Sequence, residues 1–404
     1  MQRTQTTWIE QISGGLPLRT GAFGRLRAHL TCGAALLLLG MAGCVADPPL
    51  VPPTELTAIE PGVTFARRWK ADVGEAGRGR FEPVSSDERI IMADARGVVT
   101  ALDRRTGMRQ WSTDLDTRLA SGVGGNASQV FVGGADGVVH ALSSDAGEEL
   151  WQASMSSEVL VAPVAAFGAV VVRSVDGRIA ALEPEDGSER WSVSETPPAL
   201  TVTGYGQPLL VDGGALVGVD DGRLLALSLD NGRKIWETVL SVPSGRSEVE
   251  RLVDLDADPR ADDAGIYVVN YQGRAARLEP ARGQVIWSQP LSSTRGLELS
   301  DGQVVVVDDE DGIHALDAES GRKLWSSEAL RGRRLGPPAV LDDGSGIVVG
   351  DFEGFVHMVS MTDGSLTGRT RASKEPIDAR PIIADDVVYV LASDGIVNAY
   401  EIAR

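Results

Sequence analysis

The chain repeats one short frame along most of its length, and this repeat constrains the fold more than any other feature. The frame is a glycine, an apolar run, a second turn and a tryptophan, as in D-G-V-V-H-A-L-S-S-D-A-G-E-E-L-W at 136–151. The glycines that open its copies are Gly97, Gly137, Gly177, Gly222, Gly273, Gly312, Gly354 and Gly395. A period of about 40 residues is typical of a repeat architecture, in which each unit packs on its neighbours.

Each unit has the pattern of several short strands. Valine-rich runs such as 129–132 and 169–172 come before a D-G or related turn, which suits a tight hairpin. The first strand of a unit often opens with a proline, a residue tolerated as the first of a strand. These prolines are Pro83, Pro163, Pro208, Pro338 and Pro381. Four short strands in about 40 residues predict an all-β fold built of four-stranded antiparallel β-propeller blades.

The ends of the repeat predict how the ring closes. The last unit stops before its tryptophan, whereas Trp69 stands before the first unit. We therefore expect the strand of Trp69 to complete the blade begun by Gly395, so that N- and C-terminal strands pair and close eight blades. The unit that begins at Gly354 has Gly368 where tryptophan is due. The predicted structural blade tryptophans are Trp69, Trp111, Trp151, Trp191, Trp236, Trp287 and Trp325.

Composition excludes some classes of function. The net charge is −19, and because residues 1–43 contribute +3, the remainder carries −22. Such a chain lacks the basic face that nucleic-acid binding through phosphates requires. The two cysteines, Cys32 and Cys44, precede the repeats, so the propeller has neither a disulfide nor a thiolate metal site. His140, His314 and His357 take similar repeat positions and are interpreted as blade residues.

The N-terminus predicts an export signal and a lipid anchor. Arg25 and Arg27 precede the apolar run 34–40, which is too short to span a bilayer and fits a signal peptide. It ends in M-A-G-C at 41–44, which resembles a bacterial lipobox and implies lipidation of Cys44. Val45 is not the aspartate of the inner-membrane retention signal, which implies outer-membrane sorting. The alternative is an ordinary signal peptide with a chance cysteine.

These observations divide the chain into three parts. Residues 1–43 are predicted to be a lipoprotein signal peptide, and residues 62–404 the eight-bladed propeller. Residues 44–61 would be the lipidated cysteine and a tether, which its prolines should keep extended.

The repeat A-L-D-x-x-x-G-x-x-x-W resembles that of quinoprotein dehydrogenases and their non-enzymatic relatives. Together with the lipobox and eight blades, it makes the chain similar to the BamB family, lipoproteins of the outer-membrane β-barrel assembly machinery. E-R-L-V-D-L-D-A-D-P at 250–259 and G-D-F-E-G-F-V-H at 350–357 match two local runs of that family. The resemblance implies a scaffold without enzymatic activity or cofactor, at the periplasmic face of the outer membrane of a Gram-negative bacterium. It would assist folding and insertion of outer-membrane proteins.

The resemblance also implies a partner, a POTRA domain of BamA within the Bam complex, bound through two neighbouring loops. One loop contributes Arg251, Asp254 and Asp256, and lies in the longest unit, 51 residues from Trp236 to Trp287. Long loops on rigid scaffolds often carry function. The other loop matches an L-x-L-R-G pattern and contributes Leu200, Val202 and Thr203, where Thr203 replaces the family's arginine. This substitution removes a bidentate charged contact.

Several alternatives remain at this point. The three aspartates at 254, 256 and 258 could form a solvated acidic turn; as a calcium loop they lack the glycine and the bidentate glutamate required. A quinone- and calcium-dependent dehydrogenase would need an adjacent cysteine pair and a longer chain. The propeller could serve another envelope partner, and its blade edges could accept nascent outer-membrane β-strands. No function is assigned to the acidic run 308–311.

Overall fold

The computed structural model describes residues 51–59, 62–75, 81–86, 88–198, 200, 206–242 and 252–403. The predicted signal peptide and Cys44 lie outside these residues. In the described parts all regular structure is β-strand. No helix there has the length and apolarity to cross a membrane.

The strands form eight antiparallel sheets of four strands each, and in seven of them four consecutive strands of the chain lie side by side. Blade 1 comprises β2 (Val84–Ser85), β3 (Arg89–Ala93), β4 (Val98–Asp103) and β5 (Arg109–Asp114). Blade 2 comprises β6 (Gly124–Gly125), β7 (Gln129–Gly133), β8 (Val138–Ser143) and β9 (Glu149–Ser154). Blade 3 comprises β10 (Val164–Ala166), β11 (Ala169–Arg173), β12 (Arg178–Leu182) and β13 (Glu189–Ser194). Blade 4 comprises β14 (Leu209–Val211), β15 (Gly214–Gly218), β16 (Arg223–Ser228) and β17 (Lys234–Val239).

The second half of the ring follows the same plan. Blade 5 comprises β18 (Arg260–Asp262), β19 (Gly265–Val269), β20 (Arg274–Leu278) and β21 (Val285–Pro290). Blade 6 comprises β22 (Leu297–Ser300), β23 (Gln303–Val307), β24 (Ile313–Asp317) and β25 (Lys323–Ser327). Blade 7 comprises β26 (Ala339–Val340), β27 (Gly346–Gly350), β28 (Phe355–Ser360) and β29 (Leu366–Arg371). Blade 8 comprises β30 (Ile382–Ala384), β31 (Val387–Leu391), β32 (Ile396–Ala403) and, from the other end of the chain, β1 (Thr64–Asp72).

The pairing of β1 with β32 confirms the predicted ring closure. The two strands run antiparallel from Thr64 opposite Ala403 to Asp72 opposite Ile396. The fold is therefore an eight-bladed β-propeller whose last blade combines N- and C-terminal strands, as the orphan position of Trp69 predicts.

The hydrophobic core is divided among the interfaces between blades. The middle strands of each blade are rich in valine, isoleucine and leucine and are almost fully buried on both faces. The described part of the chain contains eight buried clusters, and each joins two neighbouring blades. Every blade is thus stabilised from both sides by burial of apolar surface.

The tryptophans join each blade to the next, which explains the repeat. In seven cases the indole Nε1 donates a hydrogen bond to a backbone carbonyl of the following blade, as from Trp191 to Leu229 at 2.7 Å. Each indole ring also covers the glycine of the last turn of that following blade. Gly232, for example, has a φ of +69°, and a Cβ there would lie 2.6 Å from Trp191 Cε3. Only glycine suits both the backbone conformation and the contact.

The blade that lacks a tryptophan is explained by ring closure. Gly368 lies at the tryptophan position of β29, facing blade 8. A Cβ at Gly368 would lie 2.7 Å from the carbonyl oxygen of Val63 and 3.4 Å from the ring of Phe65. Phe65 packs edge to face against Tyr400, with ring centroids 5.8 Å apart. The N-terminal strand therefore fills the space that an indole fills elsewhere.

The antiparallel order gives the ring two distinct faces. Because neighbouring strands of a blade run in opposite directions, each blade has turns at both of its ends. The turn between the two middle strands and the connection to the next blade lie at the same end. We call this side the connection face. It carries the blade 6–7 connection (328–338) and the described parts of two others. These are 195–198, 200 and 206–208 of the blade 3–4 connection (195–208), and 240–242 and 252–259 of the blade 4–5 connection (240–259). The other hairpin turns lie on the opposite face.

Stability is expected to depend on pH through the fully buried His357, whose Nε2 lies 2.8 Å from Asp351 Oδ2. Burial lowers the pKa of His357 below 6.5 despite the neighbouring carboxylate. Because the unfolded chain then binds the proton more tightly, the free energy of unfolding should decrease as the pH falls below 6.5. The slope from this one group is at most about 1.4 kcal/mol per pH unit.

Urea unfolding from about pH 8 to pH 5 measures this dependence. Asp351 does not titrate in that window, because hydrogen bonds from His357 and Arg333 outweigh burial and keep its pKa below 3.8. The His357→Gln variant should show a flatter profile. An equally steep profile in that variant would assign the dependence to other groups.

Candidate partner-binding surface

The acidic segment of the blade 4–5 connection is buried. Asp254 and Asp256 have side chains that are 0% and 4% exposed, and Asp258 is 3% exposed. The neighbouring Val253 and Leu255 are also buried, and Leu255 belongs to the core between blades 4 and 5. This segment is therefore part of the propeller interior, and the two aspartates predicted to bind a partner do not present their carboxylates at the surface.

Polar groups of blade 5 hold this segment in place. Asn270 is fully buried, and its side-chain amide donates to the carbonyl of Val253 at 3.3 Å. The amide N–H of Tyr271 donates to the carbonyl of Asp254 at 3.1 Å. Buried backbone groups of the connection are thus paired with the turn that follows β19, which fixes its path.

The last residues of the blade 3–4 connection contact the blade 4–5 connection. Gly206 packs on the blade 4–5 connection, where a Cβ would lie 2.7 Å from the carbonyl oxygen of Leu255. The amide N–H of Gln207 donates to Asp258 Oδ1 at 2.9 Å. The C-terminal end of the blade 3–4 connection therefore rests on the buried segment of the blade 4–5 connection.

The exposed side chains near these loops are aliphatic. Leu200 is 51% exposed, whereas Val202, Thr203 and Arg251 lie outside the described residues. Val239 at the end of β17 and Val242 just after it are 52% and 72% exposed. The sequence analysis did not identify these two valines. Apolar residues at the end of an outer strand, which faces solvent, could have indicated an exposed apolar surface. A surface with aliphatic groups at its centre and charges around it is typical of protein interfaces.

A network of charged groups lies at the start of the blade 3–4 connection. Arg223 on β16 lies 2.7 Å from Glu195 at the start of this connection and 2.7 Å from Asp221. It also lies 3.3 Å from Glu237 on β17. These carboxylates raise the pKa of Arg223 despite its partial burial. The network holds the beginning of the loop against blade 4.

A second network lies where the innermost strands converge. Arg380, immediately before blade 8, pairs with Glu298 of blade 6 at 2.9 Å and with Asp258 at 3.4 Å. Its guanidinium also donates to the carbonyl of Pro338 at 2.7 Å. Arg260 of blade 5 lies 3.3 Å from the same Glu298. Arg380 therefore links four blades, and through Asp258 it reaches the segment on which both loops rest.

Among the described residues, the inner acidic side chains near these loops are paired with arginines and do not form a metal site. In the parts of the chain that the structure describes, no group of three or more His, Cys, Asp or Glu side chains is placed to hold a metal ion. The inner carboxylates Asp258 and Glu298 are instead paired with Arg260 and Arg380.

Sequence comparisons identify the family. The family model described as "Outer membrane protein assembly factor BamB" matches residues 95–327 and 310–404. BamB from Pseudomonas aeruginosa is 46% identical over 376 residues, which cover 91% of this chain and 98% of the relative. BamB from Alkalilimnicola ehrlichii is 45% identical over 372 residues, which cover 91% of this chain and 95% of the relative.

Solved structures support the fold. BamB from Moraxella catarrhalis superimposes with a TM-score of 0.77 at 24% identity, covering 83% of this chain and 99% of that one. A quinohemoprotein alcohol dehydrogenase from Comamonas testosteroni gives a TM-score of 0.69 at 14% identity, and the match covers 83% of this chain and 76% of that one. At these identities both likenesses show the propeller fold alone. The matches in sequence go further, and by them the chain belongs to the BamB family of outer membrane protein assembly factors.

Proposed function

We propose that this protein is a lipid-anchored scaffold of the outer-membrane β-barrel assembly machinery, without catalytic activity. After cleavage of residues 1–43, lipidated Cys44 holds it at the periplasmic face of the outer membrane. There it binds the POTRA region of BamA. In this way it assists the folding and insertion of outer-membrane proteins. The family membership supports a role in outer-membrane assembly, and the scaffold and its partner are our extension of it.

The observation that carries the partner proposal is the contact between the described ends of the blade 3–4 and blade 4–5 connections. Gly206 and Gln207 rest on the segment that contains Leu255 and Asp258. These ends are therefore fixed to each other, and we expect them to support one binding surface, which reduces the ordering cost when a partner binds. The inner ends of the loops are fixed by blade 5 and Arg380.

The burial of the aspartates divides the predicted site residues into two groups. We propose that Leu200, Val202, Thr203 and Arg251 contact BamA. Asp254 and Asp256 would act indirectly, by keeping the buried segment in the conformation that presents Arg251. A buried carboxylate cannot be reversed in charge without a large cost in stability, so its substitution tests folding and binding together.

Substitutions of exposed residues test binding alone. Leu200→Asp should weaken the binding of residues 44–404 to the periplasmic domains of BamA by about tenfold or more, since a central apolar contact is worth upwards of about 1.4 kcal/mol. Val175→Asp is the matched control: Val175 is 47% exposed, lies on a turn of the same face and should leave affinity unchanged. Isothermal calorimetry measures both.

Thr203→Arg supplies the opposite test. It restores the guanidinium that the family pattern has at this position and should tighten binding several-fold, through a charge-assisted contact.

Equal affinities for Leu200→Asp and Val175→Asp would move the site elsewhere on the propeller. Absence of binding in the unsubstituted protein would instead favour a scaffold for another envelope partner.

A further inference from the structure

Part of the predicted tether is packed against the propeller. Residues 51–59, which we call the strap, run along the outer edge of blade 7 before the chain enters β1. Val51, Thr54, Leu56 and Ile59 are half-buried, whereas Pro52, Pro53, Glu55, Thr57 and Ala58 are exposed. The strap therefore has one side against the propeller and the other toward solvent.

The strap begins on the blade 6–7 connection. The backbone N–H of Thr54 donates to the carbonyl of Arg331 at 2.9 Å, and its hydroxyl donates to the same oxygen at 3.0 Å. The guanidinium of Arg333 donates to the carbonyl of Thr54 at 3.0 Å. Gly332, with a φ of +72°, lies so close that a Cβ would be 2.7 Å from the carbonyl oxygen of Pro52. Arg333 is itself fixed by a salt bridge to the buried Asp351.

The rest of the strap follows blade 7 away from the connection face. Leu56 packs against the core between blades 6 and 7, beside Leu330 and Leu335. Arg369 on β29 donates to the carbonyl of Thr57 at 2.8 Å. Farther along, the amides of Gly62 and Val63 donate to the carbonyl of Thr367 at 2.9 and 3.0 Å. The end of the strap that continues toward Cys44 is therefore the end on the connection face.

We infer that the strap turns the connection face of the propeller toward the lipid bilayer and limits its distance from it. The inference rests on the proposed lipidation of Cys44. Seven residue steps separate Cys44 from Val51, and they span at most about 25 Å in any conformation. Without the strap contacts, the eighteen steps from Cys44 to Gly62 would allow about 65 Å.

The inferred orientation joins the anchor to the partner site. The blade 6–7 connection that receives the strap lies on the same face as the 195–208 and 240–259 connections. The proposed BamA surface would then face the membrane in which the assembly machinery inserts its products. The surface that this face is turned toward is that of a phospholipid bilayer.

Neutron reflectometry on a supported bilayer tests the inference. Cys44 is the only cysteine of residues 44–404, so its thiol can be coupled to a maleimide phospholipid. This coupling supplies the lipid chemically, so the outcome does not depend on whether cells lipidate Cys44. Mass spectrometry of the N-terminal peptide from cells tests lipidation separately. The protein should lie within about 25 Å of the bilayer.

A strap variant and a matched control complete the experiment. Thr54→Pro combined with Leu56→Asp removes the backbone donor and the apolar contact, and should widen the gap by up to about 40 Å. Glu55→Gln changes an exposed strap residue and should leave the gap unchanged. Hydrogen exchange of the Thr54 amide verifies docking. Rapid exchange in the unsubstituted protein, or a gap unchanged by strap release, would overturn the inference.

Discussion

Replacing Arg380 by methionine is expected to reduce the free energy of unfolding by about 3–5 kcal/mol. Arg380 pairs with Glu298 and Asp258 and donates to the carbonyl of Pro338. Burial and the nearby Arg260 lower the pKa of Arg380, but a guanidinium keeps its charge in proteins. Its removal leaves two inner carboxylates to share Arg260, which is the costly way to break a buried ion pair.

Urea unfolding followed by tryptophan fluorescence measures this effect. Arg68→Met is the matched control, because Arg68 and Glu401 form an ion pair whose side chains are 44% and 54% exposed. Such surface pairs contribute about 0–1 kcal/mol. A loss for Arg380→Met no greater than that for the control would contradict a central role for the inner network.

The second large effect is expected at the contact of tryptophan with glycine. Trp191→Ala should lower the free energy of unfolding by about 3–5 kcal/mol, since it removes a buried ring and the hydrogen bond to Leu229. Gly232→Ala should lower it by about 2–4 kcal/mol. About 1 kcal/mol of this comes from a side chain at positive φ, and the rest from overlap of the new Cβ with the indole ring.

Gly213 of the same blade provides the matched control. Its φ is +73°, close to the +69° of Gly232, but a Cβ there would have nothing within 4 Å. Gly213→Ala should therefore cost only the backbone strain, about 1 kcal/mol. The double variant Gly232→Ala/Trp191→Ala should lose less stability than the sum of the single variants, since removing the ring relieves the overlap. Equal losses at Gly213 and Gly232 would contradict the proposed reason for the repeat.

Most of the fold could be predicted because its determinants are local and repeated. The glycine and the tryptophan recur at fixed spacing since each blade makes the same contact with the next, and the unpaired Trp69 indicated the closing strand. Gly368 could be recognised as an exception, but its cause could not, because Phe65 lies about 300 residues away in sequence and only ring closure brings it near.

The candidate site was less predictable because its structure depends on contacts between residues that are far apart in sequence. Three alternating aspartates favour a solvated loop on composition alone. Their burial depends on Asn270 of the next blade and, for Asp258, on Arg380, which is 122 residues away in sequence. Likewise, the prolines of the tether predict extension, whereas docking requires the carbonyl of Arg331. Groups distant in sequence decide which polar residues are covered.

The closing blade has a consequence for the export across a membrane that we propose for this protein. A chain exported from its N-terminus presents β1 first and β32 last, with the other thirty strands between them. Pairing of these two strands must await arrival of the final segment, and contacts of such long sequence separation form slowly. Until then β1 exposes an unpaired edge. Envelope chaperones and proteases would therefore meet an open ring during every round of secretion, and a chain truncated before β32 would never pass this stage.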